Sequence, residues 1–252
     1  MILALDIGNS NITIGAFEKG ALIFTARLIT DCEMTASGYA ERIQGILLSK
    51  QRDITSIDGA VICSVVPCTT GNIASAIELL TGRAPVVIDN KTDFGLKIQM
   101  DDPMRVGTDL LVGASNACIK YEAPLCVIDL GTFTTLCYVS GQKEYQGTII
   151  IPGIRTTEES YSKAAQLFTF EINSPESLFG TNTKDSMTSG LMNGAAAMID
   201  GLIDRIEDEK GELKSIIVTG GFAEKIIPLL KHEVTEDENL LLDGLHRLYY
   251  SF

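Results

Sequence analysis

The chain is poor in the residues that many catalytic classes need. Its two histidines, His232 and His246, stand among surface-like neighbours, which argues against a histidine-centred triad or a zinc site. No GxxxxGK[ST] stretch is present, so the chain is not a P-loop kinase, and no GxGxxG follows a strand-like run. GASNA at Gly113–Ala117 only weakly echoes a nucleophile elbow, and small-residue helix packing explains it better. The six cysteines (Cys32, Cys63, Cys68, Cys118, Cys126 and Cys137) include no CxxC pair. Several lie inside apolar runs and read as reduced core residues of a cytosolic protein. Basic residues are few, 20 Lys and Arg against 33 Asp and Glu, and the net charge of −13 argues against a nucleic-acid surface. No run approaches the ~18 apolar residues of a membrane span. The start of the chain lacks the basic region of a signal peptide. The expectation is a soluble, cytoplasmic protein with neither nucleic acid nor membrane as a partner.

What is present is enough apolar residue, 45% of 252, for one large domain or two ordinary ones. The most informative stretch is Asp129–Thr135, DLGTFTT. The apolar run LCVI leads into Asp129, and TTLCYV after it alternates as a second strand does. A carboxylate and a glycine thus sit at a tight turn followed by hydroxyl residues. Phosphate sites use such turns, because backbone N–H groups and hydroxyls face the anion while a carboxylate holds its cation. An ordinary hairpin is the competing reading, since Asp and Gly favour turns in any case.

The same pattern opens the chain. Leu3–Thr13 reads LALDIGNSNIT, with Asp6 placed 123 residues before Asp129. Each copy is followed by two more strand-like runs, at 14–17 and 21–28 in the first half and at 136–139 and 145–151 in the second. Two copies of one supersecondary unit point to a duplicated fold with two Asp-Gly turns.

Between these landmarks, 35–50 has helical spacing, 57–65 reads as a buried strand, 70–80 as a helix and 85–88 as a strand. Residues 101–109 form a loop into a helix at about 107–121. Strands follow at 125–129, 132–139 and 144–151, then a helix at about 154–168 and a polar loop at 175–183. A long helix is expected over 187–209, its first half crowded with small residues that allow close approach of another backbone. A strand at 215–218, a Thr219-Gly220-Gly221 break and a helix at 223–230 complete the pattern.

Four places carry candidate chemistry. Asp6 with Gly8, Asn9, Ser10 and Asn11 suits triphosphate and Mg2+, or else an Asx turn in a hairpin. Asp109, after Gly107 and Thr108, could accept a proton from a substrate hydroxyl, or could simply favour the first turn of a helix. Thr219-Gly220-Gly221 is a platform for a flat ring or a plain strand-to-helix turn. Thr183 is a binding residue, a helix N-cap, or both.

Taken together, DIGNSNITIGAF, DPMRVGTDLL, IDLGTFTT, TIIIPGI, NTKDSMTSG and VTGG, in this order and spacing, resemble type III pantothenate kinase. That family belongs to the acetate and sugar kinase, Hsp70 and actin superfamily. The resemblance covers nearly the whole chain. It implies an α/β, duplicated ribonuclease H-like (actin-like ATPase) fold with a nucleotide cleft between two lobes, here expected at 1–115 and 116–252, usually as a homodimer. It implies ATP-dependent phosphorylation of pantothenate on its primary hydroxyl, the first step toward coenzyme A, with Mg2+ and a monovalent cation, K+ or NH4+. By resemblance the first phosphate loop is Asp6, Ile7, Gly8, Asn9, Ser10, Asn11, Ile12 and Thr13, with Asp6 near Mg2+. Asp109 is the general base, Asp129 the monovalent-cation carboxylate and Thr132 a nucleotide contact. The substrate loop is Gly107, Thr108, Asp109 and Leu110, and Thr183 binds substrate.

The chain also departs from the family pattern. Leu110 stands where Arg usually follows the catalytic Asp, Met100 and Asp102 replace a Tyr and an Asn, and Cys137 replaces the Asp that closes the second turn. Leucine cannot pair with the carboxylate of pantothenate as arginine can; Arg105 is the nearest cation in sequence. A paralogue acting on another small alcohol, or a nucleotide-binding regulator with little catalysis, are the alternative readings.

Overall fold

A computed structural model describes residues 1–165 and 172–252. Its elements are β1 (Ile2–Ile7), β2 (Asn11–Glu18), β3 (Ala21–Ile29), α1 (Ala36–Ser49), β4 (Gly59–Ser64), α2 (Pro67–Thr81), β5 (Val86–Val87), β6 (Lys97–Ile98) and α3 (Thr108–Lys120). There follow β7 (Leu125–Leu130), β8 (Phe133–Val139), β9 (Glu144–Pro152), α4 (Ile154–Ala165), α5 (Thr183–Lys210), β10 (Ser215–Thr219), α6 (Ala223–Ile226), β11 (Thr235–Glu236) and α7 (Leu240–Tyr249). The part of the expected 154–168 helix beyond Ala165 lies outside the described residues.

The chain forms two compact units. The first comprises Met1–Gly95, Asp101–Asn116 and Asn239–Phe252, the second Leu96–Met100 and Ala117–Glu238. The first unit holds a five-stranded sheet in the order β3-β2-β1-β4-β5. β1 is antiparallel to β2 and parallel to β4. A strand with neighbours on both edges and helices over the sheet becomes nearly all apolar, which is why ILALDI is buried except at Asp6. Tyr39, Ile43 and Leu47 of α1 and Ile73 and Ile77 of α2 pack with Leu3, Leu5 and Ile7 in one core. Thr35 caps α1 by accepting from the Gly38 N–H. α2 begins earlier than expected because Pro67 is a favourable first helical residue, and it ends at Gly82 with φ 68°.

The second unit repeats this plan in the order β11-β10-β7-β8-β9-β6. β7 is antiparallel to β8 and parallel to β10, as β1 is to β2 and β4. Ile128, Leu130, Leu191, Met192, Ile199, Ile203 and Val218 form its core with Ile154 of α4. α5 starts four residues before the expected 187, since Asn182 caps it by accepting from the Asp185 N–H at 3.0 Å. At Gly190, Gly194 and Gly201 an added Cβ would meet nothing within 4 Å, so the space beside these glycines is open and no other backbone among the described residues fills it. Close approach occurs instead at Gly180, which lies against the backbone of Asp185 and Ser186.

Three expectations need correction. First, 239–252 does not group with the second half: Leu240, Leu242, Leu245 and Leu248 of α7 are buried, α7 packs on β1 and β4, and Tyr249 lies against Gly59. Second, of the two histidines only His232 has exposed neighbours, Lys231 and Glu233; those of His246 are buried or half-buried. His246 stacks on Phe17 at 4.2 Å, and His232 bonds Asp200 at 2.9 Å. Third, the cysteines are not all reduced core residues. Cys63, Cys126 and Cys137 are buried and free, whereas Cys32 and Cys68 are exposed and joined to each other. Among the described residues no helix is long and apolar enough to cross a membrane.

Candidate active site

In the first unit, Asp6 pairs across the sheet with Thr13 on β2 and with Cys63 on β4. The turn from Gly8 to Asn11 closes by the Gly8 N–H donating to Asn11 O at 3.0 Å. Thr30 secures it from the side: its hydroxyl donates to Gly8 O at 2.6 Å, and its N–H donates to Ser10 O at 3.1 Å. Asn9, Ser10 and Asn11 are exposed and carry short polar side chains. Ile7 and Ile12 are fully buried, so of the expected loop residues these two can offer a ligand only backbone.

Asp109 lies in the same unit, on the first turn of α3. Burial raises its carboxyl above the ordinary value, against the lowering effect of the Leu110 N–H, which donates to it at 2.8 Å, and of its own N–H. Gly107 permits this pose, because a Cβ there would collide with the Asp109 carboxylate. Thr108 is buried. Its hydroxyl accepts from Cys63 Sγ at 3.2 Å and donates to Ser64 O at 3.4 Å, so it serves the protein's own groups. Cys63 is held neutral, first by burial and then by the charges of Asp6 and Asp109. Both carboxylates therefore act on one thiol. Leu110 is half-buried, and Arg105, exposed at the end of a 3-10 turn, is the cation of that loop. Asp102 caps that turn by accepting from the Met104 N–H at 3.2 Å, which accounts for an acid at this position.

In the second unit, Asp129 pairs with Thr135 on β8 and with Thr219 on β10, matching the partners of Asp6. The turn is one residue shorter, with the Gly131 N–H donating to Phe133 O at 3.1 Å. Thr132 O accepts from the Gly153 N–H at 3.1 Å and from the Thr156 hydroxyl at 2.8 Å. A Cβ at Gly153 would strike the backbone of Gly131 and Thr132, and one at Gly220 would strike Asp129 and the Leu130 backbone. Gly220 also has φ 97°, so two requirements fall on one residue. Thr30, Cys63, Gly153 and Thr156 were not singled out from the sequence, although PGI was a visible signal for Gly153, as TGG was for Gly220. Cys137 faces inward, its sulfur accepting from the Tyr145 hydroxyl at 3.4 Å.

Thr183 is the first helical residue of α5 and not its cap, which is Asn182. It is exposed and borders a shallow pocket with Tyr161, Ser186, Met187 and Gly190. Among the described residues no three His, Cys, Asp or Glu side chains form a metal cluster. A divalent ion that relies on one protein carboxylate, phosphate oxygens and water fits Asp6, and this is the habit of Mg2+. Near Asp129, the Thr135 hydroxyl is buried without a partner in register with that carboxylate, an oxygen set that fits a hard monovalent cation.

Residues 2–205 match the family model for type III pantothenate kinase. The chain belongs to that family. The type III pantothenate kinase of Exiguobacterium sibiricum is 38% identical over 99% of this chain and 98% of its own. That of Solibacter usitatus is 37% identical over 99% and 96%, and that of Finegoldia magna 36% identical over 97% and 95%. Among solved structures, the activator of 2-hydroxyisocaproyl-CoA dehydratase from Clostridium difficile, with bound ADPNP, aligns with TM-score 0.58 at 11% identity, covering 98% of this chain and 91% of that one. Component A of the (R)-2-hydroxyglutaryl-CoA dehydratase of Acidaminococcus fermentans aligns with TM-score 0.58 at 14% identity, covering 98% and 95%. These likenesses bear out the duplicated ribonuclease H-like α/β fold, of which this type III pantothenate kinase family member has two mixed sheets. Within the family, Leu110 remains the departure nearest to the carboxylate expected to act on substrate.

Proposed function

We propose that the chain catalyses ATP-dependent phosphorylation of pantothenate to 4'-phosphopantothenate in the cytoplasm, as a homodimer. The observation that carries the mechanism is Asp109, a carboxylate made more basic by burial and posed over Gly107 in the unit that also bears the Asp6 turn. Asp109 orients the primary hydroxyl of the substrate and takes its proton as the hydroxyl oxygen bonds to the γ-phosphorus. The bond between that phosphorus and the β,γ-bridging oxygen breaks, and ADP leaves. The amides of Asn9–Asn11 and the Thr13 hydroxyl bind phosphate oxygens, and Asp6 would hold Mg2+. When bound, Mg2+ supplies neutralisation of the charge on the phosphates. Asp129 with Thr135 holds K+ or NH4+, Thr132 contacts nucleotide, and Gly107, Leu110 and Thr183 contact pantothenate. Catalysis in this scheme is chiefly positioning and charge stabilisation.

Leu110 favours a second reading, a kinase for another small alcohol, since leucine offers no partner for a carboxylate. The deciding assay measures ADP release on pantothenate and on a panel of related hydroxy acids, with and without K+. The expected result is pantothenate-dependent ADP that rises with K+. ADP release on another alcohol with none on pantothenate would replace the first reading by the second.

A further inference from the structure

Cys32 and Cys68 stand apart from the other cysteines. Cys63, Cys126 and Cys137 are buried, and burial pushes the thiols of Cys63, Cys126 and Cys118 upward, away from the reactive thiolate. Cys32 and Cys68 are exposed, and their Cα atoms are 5.5 Å apart, inside the ~4.4–6.8 Å that a disulfide spans. Cys68 is the second residue of α2, after Pro67, a position where a helix N-terminus favours the thiolate. Cys32 lies on the loop that follows β3. The same loop is fastened to the first phosphate turn through Thr30, which bonds Gly8 O and Ser10 O. Its far side is fastened to α2, where the Asn72 side chain donates to Met34 O at 2.9 Å. A bond between Cys32 and Cys68 therefore locks the loop that braces the turn onto the helix behind it.

We propose that Cys32 and Cys68 form a thiol modification site, oxidised reversibly by small-molecule disulfides, whose state sets how tightly the Asp6–Asn11 turn holds nucleotide. The second half of this statement rests on the nucleotide role proposed for that turn; the first does not. In the forward step the Cys68 thiolate attacks a disulfide RSSR, an S–S bond breaks, and one RS⁻ leaves. The Cys32 thiol gives its proton to water and its thiolate attacks the Cys68 sulfur, expelling the second RS⁻. The protein loses two electrons and two protons, which the reagent carries away as two RSH. A dithiol reverses both steps.

The test uses the full chain after incubation with oxidised glutathione or with dithiothreitol. Remaining thiols are alkylated and the peptides are mapped by mass. Oxidised protein is expected to yield the Cys32 and Cys68 peptides as one linked species, lighter by two hydrogens and separable by dithiothreitol, with Cys63, Cys126 and Cys137 unalkylated until denaturation. ATP affinity, read by calorimetry, is expected to be about fivefold weaker in the reduced protein, a coupling of ordinary size. Cys32→Ser and Cys68→Ser are expected to hold the weaker affinity under either treatment. Separate alkylation of Cys32 and Cys68 after oxidation overturns the site. A linked species with equal affinity in both states overturns its action on the turn. Absence of ATP binding in both states sinks that action together with the nucleotide reading, while the mapping still decides the modification site.

Discussion

Cys63 Sγ donates to Thr108 Oγ1 at 3.2 Å, and this bond ties the strand beside Asp6 to the helical turn that carries Asp109. The thiol is neutral and buried between two carboxylate fields, where a third acid would be repelled. Cys63→Ser keeps a donor of similar size and is expected to keep turnover within about threefold. Cys63→Ala removes the donor and leaves a small void, at a cost of about 1–2 kcal/mol in folding stability. Its kcat should fall more than its KM rises, because the change reaches substrate only through Asp109. Kinetics on both variants check this. Equal loss in the Ser and Ala variants would contradict the role of the thiol as a hydrogen-bond donor.

Asp109→Asn is expected to lower turnover by roughly 100-fold or more while leaving ATP binding nearly intact, the usual scale for losing a general base. The carboxyl is raised in the folded chain, so it takes up its proton at a higher pH than in the unfolded chain. Folding is therefore favoured as pH falls through the raised value, and the ionised form that catalysis needs is the less favoured one. Two consequences follow. The acid limb of kcat/KM lies above the ordinary carboxylate range of about 4. The Asn variant, freed of the buried charge, melts no lower than the parent near neutral pH. A pH–rate profile and a thermal melt test both.

Gly220→Ala tests the second turn. Its φ of 97° disfavours a side chain, and the space is taken by Asp129 and the Leu130 backbone. Backbone is a neighbour that cannot swing away, so the strained conformation costs about 1–3 kcal/mol before any shift of Asp129 is counted. The expected outcome is lower stability together with a weakened response to K+. Gly190→Ala is the control, since a Cβ there meets nothing within 4 Å and helix propensity improves. A Gly220→Ala protein with parental stability and K+ response would remove the glycine from the argument.

The repeat that made the fold legible was local: an apolar strand, Asp, Gly and a second strand, at Asp6 and again at Asp129. Period-two alternation and turn chemistry are written in adjacent residues, so β1, β2, β7 and β8 could be placed closely. What escaped depends on distant packing. α7 returns to β1 and β4 from the far end of the sequence, and nothing local says which sheet a short terminal helix will cover. β6 and β11 are two residues each, too short for any period to show. Cys63 and Thr30 act through bonds to residues 45 and 22 positions away. Isolated cysteines in apolar runs carry no mark of that, and the same blindness hid the approach of Cys32 to Cys68.

His232 bridges two acids of α5, with Nδ1 2.9 Å from Asp200 and Nε2 3.1 Å from Asp204. The bond to Asp200 raises the imidazole above its ordinary value, while its burial works the other way. Burial works to raise Asp200 as well, but the His232 side chain and the N–H groups of Lys231 and His232 outweigh it and hold the carboxyl low. The signs differ for the two partners. The contribution of His232 is fully present below about pH 6.5 and is lost as pH rises through its raised value. That of Asp200 is present above about pH 4 and is lost as pH falls through its lowered value. The pair is therefore worth most between those limits. His232→Gln is expected to lower the melting temperature clearly at pH 6 and progressively less toward pH 9, as pH rises through the raised value of the parental imidazole. Melting curves of parent and variant at the two values check the sign, and a deficit that grows toward pH 9 would rule out the charged pair as the source of stability.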